Sequence, residues 1–537
     1  MRRTLPTTIL GASAITLTAV LTACSGEAVA PTVNSATSTQ SSTVDIVNFE
    51  YVTISQAAAL GSEAALDKAL GRMDAVDTSG PKIQSILALN PDARTIAQAL
   101  DAERAEGNVR GPLHGVPVLI KDNIESLDPL PTTAGSLALV KNITGKDAPL
   151  TAGLRSAGAI IMGKANLSQW ANFRSTGSSS GWSAVRGQTK NPHALNRSPC
   201  GSSSGSGAAV AAGIVAAAVG TETNGSVICP SAMNGIVGFK PTVGVIPQTG
   251  IVPLAFTQDT AGPMTTTVED AAIMMDAMTN SGSDYRDATL AGSLQGVRIG
   301  VLNFARGPNS GVGEAFDEVL ETLKAQGAIL VEIEEFDTPE GFGDASFNVL
   351  KYEFKHSINE YLAAAPAGVK SRSLDDIIAF QAGSAQEMAV FNDDIHTMSN
   401  ELGSLEDPKY IAALELVTTA TRKNGIDKML SDSNTDYLVA PSTAPTFPID
   451  HMYGDTYPGG TGAGWIAAIS GYPHITVPMG DVKGLPVGVS FMGAKNDDKA
   501  VMAIGYAYEQ ASRKFFTAKF EANIETRPLG SVLGSRP

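Results

Sequence analysis

Ser198-Pro199-Cys200-Gly201-Ser202-Ser203-Ser204-Gly205-Ser206-Gly207 leads into an apolar run, residues 208–219, and then into Gly220-Thr221-Glu222-Thr223-Asn224-Gly225-Ser226. By composition the first stretch is a flexible linker. A linker, however, does not explain an apolar run on its far side that ends in a second small-residue turn. Two such turns capping one buried helix bring backbone N–H groups together, and a cluster of that kind can hold an oxyanion. The run itself is shorter than the ~20 residues a membrane span needs, so it is expected as a buried helix. Val116-Pro117-Val118-Leu119-Ile120 and Ala159-Ile160-Ile161-Met162 read as short buried strands, separated by Gly/Pro/Thr loops and a small helix near residues 150–156.

Residues 55–104 show helical spacing with a break at Asn90-Pro91-Asp92. Strands are expected at 298–302, 329–333, 437–440, 474–477 and 487–491, with helices near 268–278, 312–326 and 499–511. This alternation predicts an α/β fold, a mixed central β-sheet sandwiched between helices. A length of 537 residues would allow three domains at ~100–200 residues each, but a large α/β enzyme exceeds that guideline as one unit. A single large catalytic domain is expected over residues 48–525. Residues 336–434 are helical by pattern and carry no motif that assigns them chemistry. With 43% hydrophobic and 17% charged residues the chain can bury a sizeable core. A net charge of -16 would repel a phosphate backbone, which excludes nucleic acid as a partner class.

At the N-terminus, Arg2 and Arg3 precede an apolar, small-residue run and then Cys24, the pattern of a signal peptide over residues 1–23. Leu21-Thr22-Ala23-Cys24 resembles the bacterial lipobox, which implies cleavage before an acylated Cys24. A plain secretory signal and an uncleaved anchor are the alternatives. Residues 24–47, rich in Ser, Thr, Ala and Val, read as a flexible tether. The expected location is extracytoplasmic, as a lipoprotein of the bacterial cell envelope that touches the membrane through its lipid alone.

Two G-x-S-x-G matches, Gly201 to Gly205 around Ser203 and Gly177 to Gly181 around Ser179, raise the α/β-hydrolase nucleophile elbow. Neither directly follows a convincing strand, and none of the six histidines sits in a marked motif. An esterase using Ser203 is therefore the minor reading. Gly115-Val116-Pro117-Val118-Leu119-Ile120-Lys121-Asp122-Asn123-Ile124 resembles the lysine motif of the amidase signature family, and residues 200–206 resemble its Gly/Ser signature. Thr221 to Ser226 resembles its nucleophile turn, with Ser226 lying 24 positions beyond Ser202 as that motif requires. Gly238-Phe239-Lys240-Pro241-Thr242, Asp259-Thr260-Ala261-Gly262-Pro263-Met264 and Leu485-Pro486-Val487-Gly488 resemble further family blocks.

The resemblance implies amide C–N hydrolysis by a relay of Lys121, Ser202 and Ser226, with Ser202 after a cis peptide bond. It also implies an oxyanion hole from the N–H groups of Thr223, Asn224, Gly225 and Ser226. The chemistry fits the residues. A serine hydroxyl needs a base, and a lysine can serve once desolvation keeps it neutral; Lys121 ends an apolar strand. Ser203 and Ser206 are expected as hydrogen-bonding supports.

Trp170-Ala171-Asn172-Phe173-Arg174, Ser180-Gly181-Trp182-Ser183-Ala184 and Ser198-Pro199-Cys200-Gly201 are similar to the peptide amidase branch, as is Glu222 where many relatives have Asp. That implies a peptide or other small-molecule amide as substrate. Aryl, cyclic and fatty amides remain alternatives. Asn224 departs from the usual glycine, so the loop there must tolerate Asn, which adopts left-handed backbone angles more readily than most residues. Asn172, Trp182 and Phe256 are candidate pocket residues, the aromatics being equally candidates for core packing. Cys200 and Cys229 form either a disulfide or two buried thiols. No metal cluster or nucleotide loop is seen, and no cofactor is expected. Two other classes compete: a cytoplasmic transferase like that of the glutamyl-tRNA amidotransferases, disfavoured by the N-terminus, and a noncatalytic lipoprotein, disfavoured by the intact Lys121, Ser202 and Ser226.

Overall fold

The computed structural model describes residues 52–525. The segments read as signal peptide and tether, with the acylation expected at Cys24, lie outside the described residues. Among the described residues thirteen strands are formed: β1 Ile86–Leu89, β2 Pro117–Lys121, β3 Ile160–Ala165, β4 Trp182–Ser183, β5 Gly187–Gln188, β6 Ala217–Glu222, β7 Val237–Lys240, β8 Thr260–Thr265, β9 Arg298–Leu302, β10 Ile329–Ile333, β11 Tyr437–Pro441, β12 His474–Val482 and β13 Leu485–Met492. Apart from the β4/β5 hairpin they build one mixed sheet in the order β1-β3-β2-β6-β8-β7-β12-β13-β11-β9-β10. Parallel pairs (β2 with β3 and β6, β9 with β10 and β11) lie on either side of an antiparallel middle that runs from β6 with β8 through β12 with β13 to β13 with β11.

Alternation along β2 explains the layers. Val118 and Ile120 join one apolar cluster with Leu154, Ile161 and Val219, whereas Leu119 joins another with Leu66, Ala97 and Ala218. Opposite faces of a strand thus feed two cores, each covered by helices. Fully burying one such Val, Leu or Ile contributes about 1.5–3 kcal/mol, so an all-apolar strand of this kind belongs in the middle of a sheet. The carboxyl ends of the parallel strands β2 and β6 place Lys121 and Thr221 side by side, the position where open α/β sheets collect their ligands.

Two expectations are corrected. The run 208–219 is not one helix. A two-turn helix, Ser204–Ala211, stops near Gly213 at φ 67°, and the chain then extends into β6. Gly213 supplies the left-handed backbone that ends the helix, and the following residues gain ladder bonds from β2 and β8. The window 55–104 likewise contains strand β1 between the helices Ser62–Met73 and Ala93–Ala105, because Ile86–Leu89 pair with β3 at the sheet edge. Residues 336–434 are helical as read, led by Phe342–Ala364 and Pro408–Thr421.

Candidate active site

Lys121 is fully buried at the end of β2. Its Nζ lies 2.8 Å from Ser202 Oγ, 3.1 Å from the Thr221 carbonyl and 2.8 Å from Thr221 Oγ1. Burial pulls its pKa from the usual 10.5 to about 7, against the opposing pull of the Asp259 and Glu222 carboxylates. Asn123, two residues on, fixes the far side of Thr221 by donating from Nδ2 to Oγ1 at 3.0 Å. Sequence patterning alone does not single out Thr221 and Asn123 as side chains of the site, although both sit inside its motif blocks.

The Gly201–Ser202 peptide is cis. Ser203 is a support, as expected: its Oγ donates to the Thr221 carbonyl at 3.0 Å and accepts from the Thr221 N–H at 3.1 Å. Its own N–H donates to the Ser226 carbonyl at 3.2 Å, which ties the Gly/Ser loop to the nucleophile turn. Ser206 Oγ donates to the Val219 carbonyl at 3.0 Å. An elbow nucleophile is free to attack. Ser203, with no exposed surface and its hydroxyl committed to Thr221 in both directions, is not.

Ser226 is 7% exposed and its neighbours Asn224 and Gly225 line a cavity of about 620 Å³. The left-handed backbone of this turn falls on Gly225, at φ 81°, and not on Asn224. Asn224 therefore fits without strain and points its surface to solvent. Glu222 Oε2 accepts from the N–H groups of Val227 at 2.8 Å and Ile228 at 3.0 Å, capping the first turn of helix Ile228–Asn234. Thr223 Oγ1 donates to Asp259 Oδ1 at 2.6 Å. Cys200 and Cys229 form a disulfide with Cα atoms 5.9 Å apart, cross-linking the Gly/Ser loop to helix Ile228–Asn234 at the cavity wall.

Asn172 lines the cavity, with Nδ2 donating to Ser180 Oγ at 3.4 Å. The other two pocket candidates go elsewhere. Trp182 packs edge-on against Phe391, ring centroids 4.9 Å apart, in a small core of its own. Phe256 is exposed beside His356. The aromatic wall is made instead by Phe304, Phe336 and Trp465, with centroid separations of 5.9 and 5.8 Å, facing Phe447 and Tyr457. These five come from scattered segments, and no sequence pattern joins them. His474 also lines the cavity, with Nε2 2.6 Å from Ser490 Oγ.

The amidase family model matches residues 65–502. A probable amidase of Arabidopsis thaliana is 34% identical over 466 residues, 82% of this chain and 85% of the relative. Among solved structures, the native peptide amidase of Stenotrophomonas maltophilia superposes with a TM-score of 0.82 at 40% identity, covering 88% of this chain and 99% of its own. An amidase family protein of Bacillus anthracis superposes with a TM-score of 0.78 at 31% identity, covering 88% of this chain and 93% of its own. With its mixed eleven-stranded sheet and its signature segments gathered at one cavity, the chain belongs to the amidase signature family and is an amide-hydrolysing enzyme.

Proposed function

We propose that the chain is a serine amidohydrolase in which Ser226 attacks the carboxamide carbon, Ser202 passes the proton and Lys121 receives it. The observation that carries this reading is the 2.8 Å contact between buried Lys121 Nζ and Ser202 Oγ. A neutral amine has two N–H groups and one lone pair. Charged, Nζ donates to all three of its contacts; neutral, it keeps its hydrogens on the Thr221 carbonyl and Thr221 Oγ1 and turns its lone pair to Ser202. As the Ser226 Oγ–carbon bond forms, its proton moves to Ser202 Oγ while the Ser202 proton moves to Lys121. The oxyanion is received by the N–H groups of Thr223, Asn224, Gly225 and Ser226. The C–N bond then breaks, the relay returns the proton to nitrogen, and ammonia or an amine leaves. Water repeats the attack on the acyl-enzyme and frees the carboxylate.

The substrate class that the cavity fits best is a peptide C-terminal carboxamide. Among the described residues, Asn172 Oδ1, Glu222 Oε1 and His474 Nδ1 are buried without a hydrogen-bond partner, and all three residues line the cavity. Unpaired buried acceptors favour a ligand rich in N–H donors, and the wall of Phe304, Phe336 and Trp465 offers a surface for an apolar side chain. The likeness to a solved peptide amidase points the same way. Given a dipeptide amide, a fatty primary amide and an acetanilide, the enzyme is expected to turn over the first about tenfold or more faster by kcat/KM, since pocket mismatches cost ~1–3 kcal/mol each. Ammonia or aniline release measures it. Reaction with only the last two overturns the peptide amide reading and leaves the amidase assignment standing.

The proposed setting is the bacterial cell envelope, with the mature chain beginning at an acylated Cys24, on the strength of the Leu21-Thr22-Ala23-Cys24 motif. Among the described residues no helix is long and apolar enough to cross a membrane. Mass spectrometry of the protein from its host is expected to find a diacylated or triacylated Cys24. An unmodified Cys24 at the mature N-terminus, or an intact residue 1, overturns the anchor.

A further inference from the structure

The block Asp259-Thr260-Ala261-Gly262-Pro263-Met264 leads into β8, yet the reaction scheme gives Asp259 no part. Its carboxylate is turned inward and fully engaged. Oδ1 accepts from Thr223 Oγ1 at 2.6 Å, and Oδ2 accepts from the N–H groups of Leu254 at 2.8 Å and Ala255 at 2.9 Å. One oxygen thus holds Thr223, the first of the four oxyanion residues, while the other is pinned to the loop that precedes β8. That loop is braced in turn from the helical region that carries no motif: the Glu353 carboxylate, on helix Phe342–Ala364, accepts from Thr257 N at 3.0 Å and from Tyr410 Oη at 2.9 Å. The same Asp259 carboxylate is one of the two that act on Lys121 through charge; Glu222 is the other. The Lys121 charge acts back on Asp259, and the Asp259 charge is felt by Glu353.

We propose that Asp259 is a positioning residue of the amide-hydrolysing reaction, holding the oxyanion turn through Thr223 Oγ1 while its carboxylate charge acts on Lys121. This rests on the Ser226, Ser202 and Lys121 reading. A part that is only structural would affect how much active enzyme folds. The part assigned here also sets the pH at which the base becomes neutral. Lys121 lies at about 7, Asp259 is raised by burial to about 6 and Glu353 to about 7, so the acid limb of the wild-type profile belongs to the group rather than to one residue. Removing the Asp259 charge removes a contribution that keeps the proton on Lys121. The base then stays neutral to lower pH, and the limb moves down.

The test is the rate of Ser226 labelling by a fluorophosphonate probe, measured on the full chain as a function of pH, which requires no knowledge of the natural substrate. In Asp259→Asn the maximal rate is expected to fall by about tenfold, the scale of a disturbed oxyanion donor, and the acid limb to shift to lower pH. Thr223→Val breaks the link and also removes a hydrogen bond that holds the Asp259 carboxyl down, so it is expected to slow labelling, and Thr223→Ser to restore the rate. A folded Asp259→Asn protein whose limb stays in place or moves up overturns the inference. The Asn amide oxygen can still accept both backbone N–H groups, but Nδ2 replaces the oxygen to which Thr223 Oγ1 donates, which puts this variant at risk of misfolding. Thr223→Val then decides: a wild-type rate overturns the inference, and a slow rate rescued by Thr223→Ser supports it. A wild type that labels with these results missing loses only the inference, whereas a wild type that fails to label at Ser226 brings down the reading beneath it as well.

Discussion

Ser226→Ala is expected to lose amide turnover by about 10⁴-fold or more, the scale seen when a nucleophile that acts as part of a unit is removed. Probe labelling should vanish with it. The fold should survive, because the contact that ties Ser226 to the Gly/Ser loop runs through its backbone carbonyl, which accepts from Ser203 N–H at 3.2 Å and is unchanged by alanine. Ser203→Ala makes the opposite case. It deletes a hydroxyl that donates to the Thr221 carbonyl at 3.0 Å and accepts from Thr221 N–H at 3.1 Å; the carbonyl keeps Lys121 Nζ, but the buried N–H is left short of a partner. That costs about 1–3 kcal/mol of stability while the chemistry continues in the folded fraction. Ammonia release, compared with the unfolding midpoint of each variant, separates the two. Substantial turnover in folded Ser226→Ala protein would remove Ser226 from the mechanism.

The contrast between these two serines is legible in the sequence alone, because the 24-residue spacing from Ser202 to Ser226 and the Lys121 block single out the same three positions. The bracketing strand is legible too: Pro117–Lys121 is a short apolar run, and a run of that length buried on both faces has few alternatives to a central strand. The helix–strand boundary inside residues 208–219 is not. Alanine and valine make up most of that run, so neither the helical nor the strand period leaves a mark, and the break rests on one left-handed glycine, Gly213. Strands β7 and β8 escape for a related reason. Val-Gly-Phe-Lys and Thr-Ala-Gly-Pro-Met-Thr carry glycine, proline or lysine where strand propensity looks for branched residues, and their pairing with each other, β6 and β12 supplies what local preference lacks. The pocket wall is the least legible part. Phe304, Phe336 and Trp465 meet only because β9, the loop after β10 and helix Gly464–Ser470 converge, a consequence of sheet order that no local window contains.

Lys121→Met should lower the rate by on the order of 10²–10⁴-fold, the usual scale for a general base, and the size of the loss should depend on pH in a fixed sense. Below about pH 7 the wild-type lysine is protonated, its lone pair is blocked, and the two proteins converge; above it the lysine is neutral and the gap opens to its full width. Stability should move the other way. The buried amine titrates at about 7 in the folded chain against the usual 10.5, so between those values the unfolded chain binds the extra proton and wild-type stability rises with pH. The cost of burying Lys121 is therefore fully present at and below about pH 7 and fades toward 10.5. A methionine of similar length carries no such cost, though it gives up the contacts to Ser202 and Thr221. Denaturant midpoints of Lys121→Met relative to wild type should be highest at neutral and lower pH and decline as the medium becomes alkaline. A pH–rate profile in which the variant keeps the wild-type acid limb would exclude Lys121 as the base, and a midpoint difference independent of pH would show that the lysine is charged where the mechanism needs it neutral.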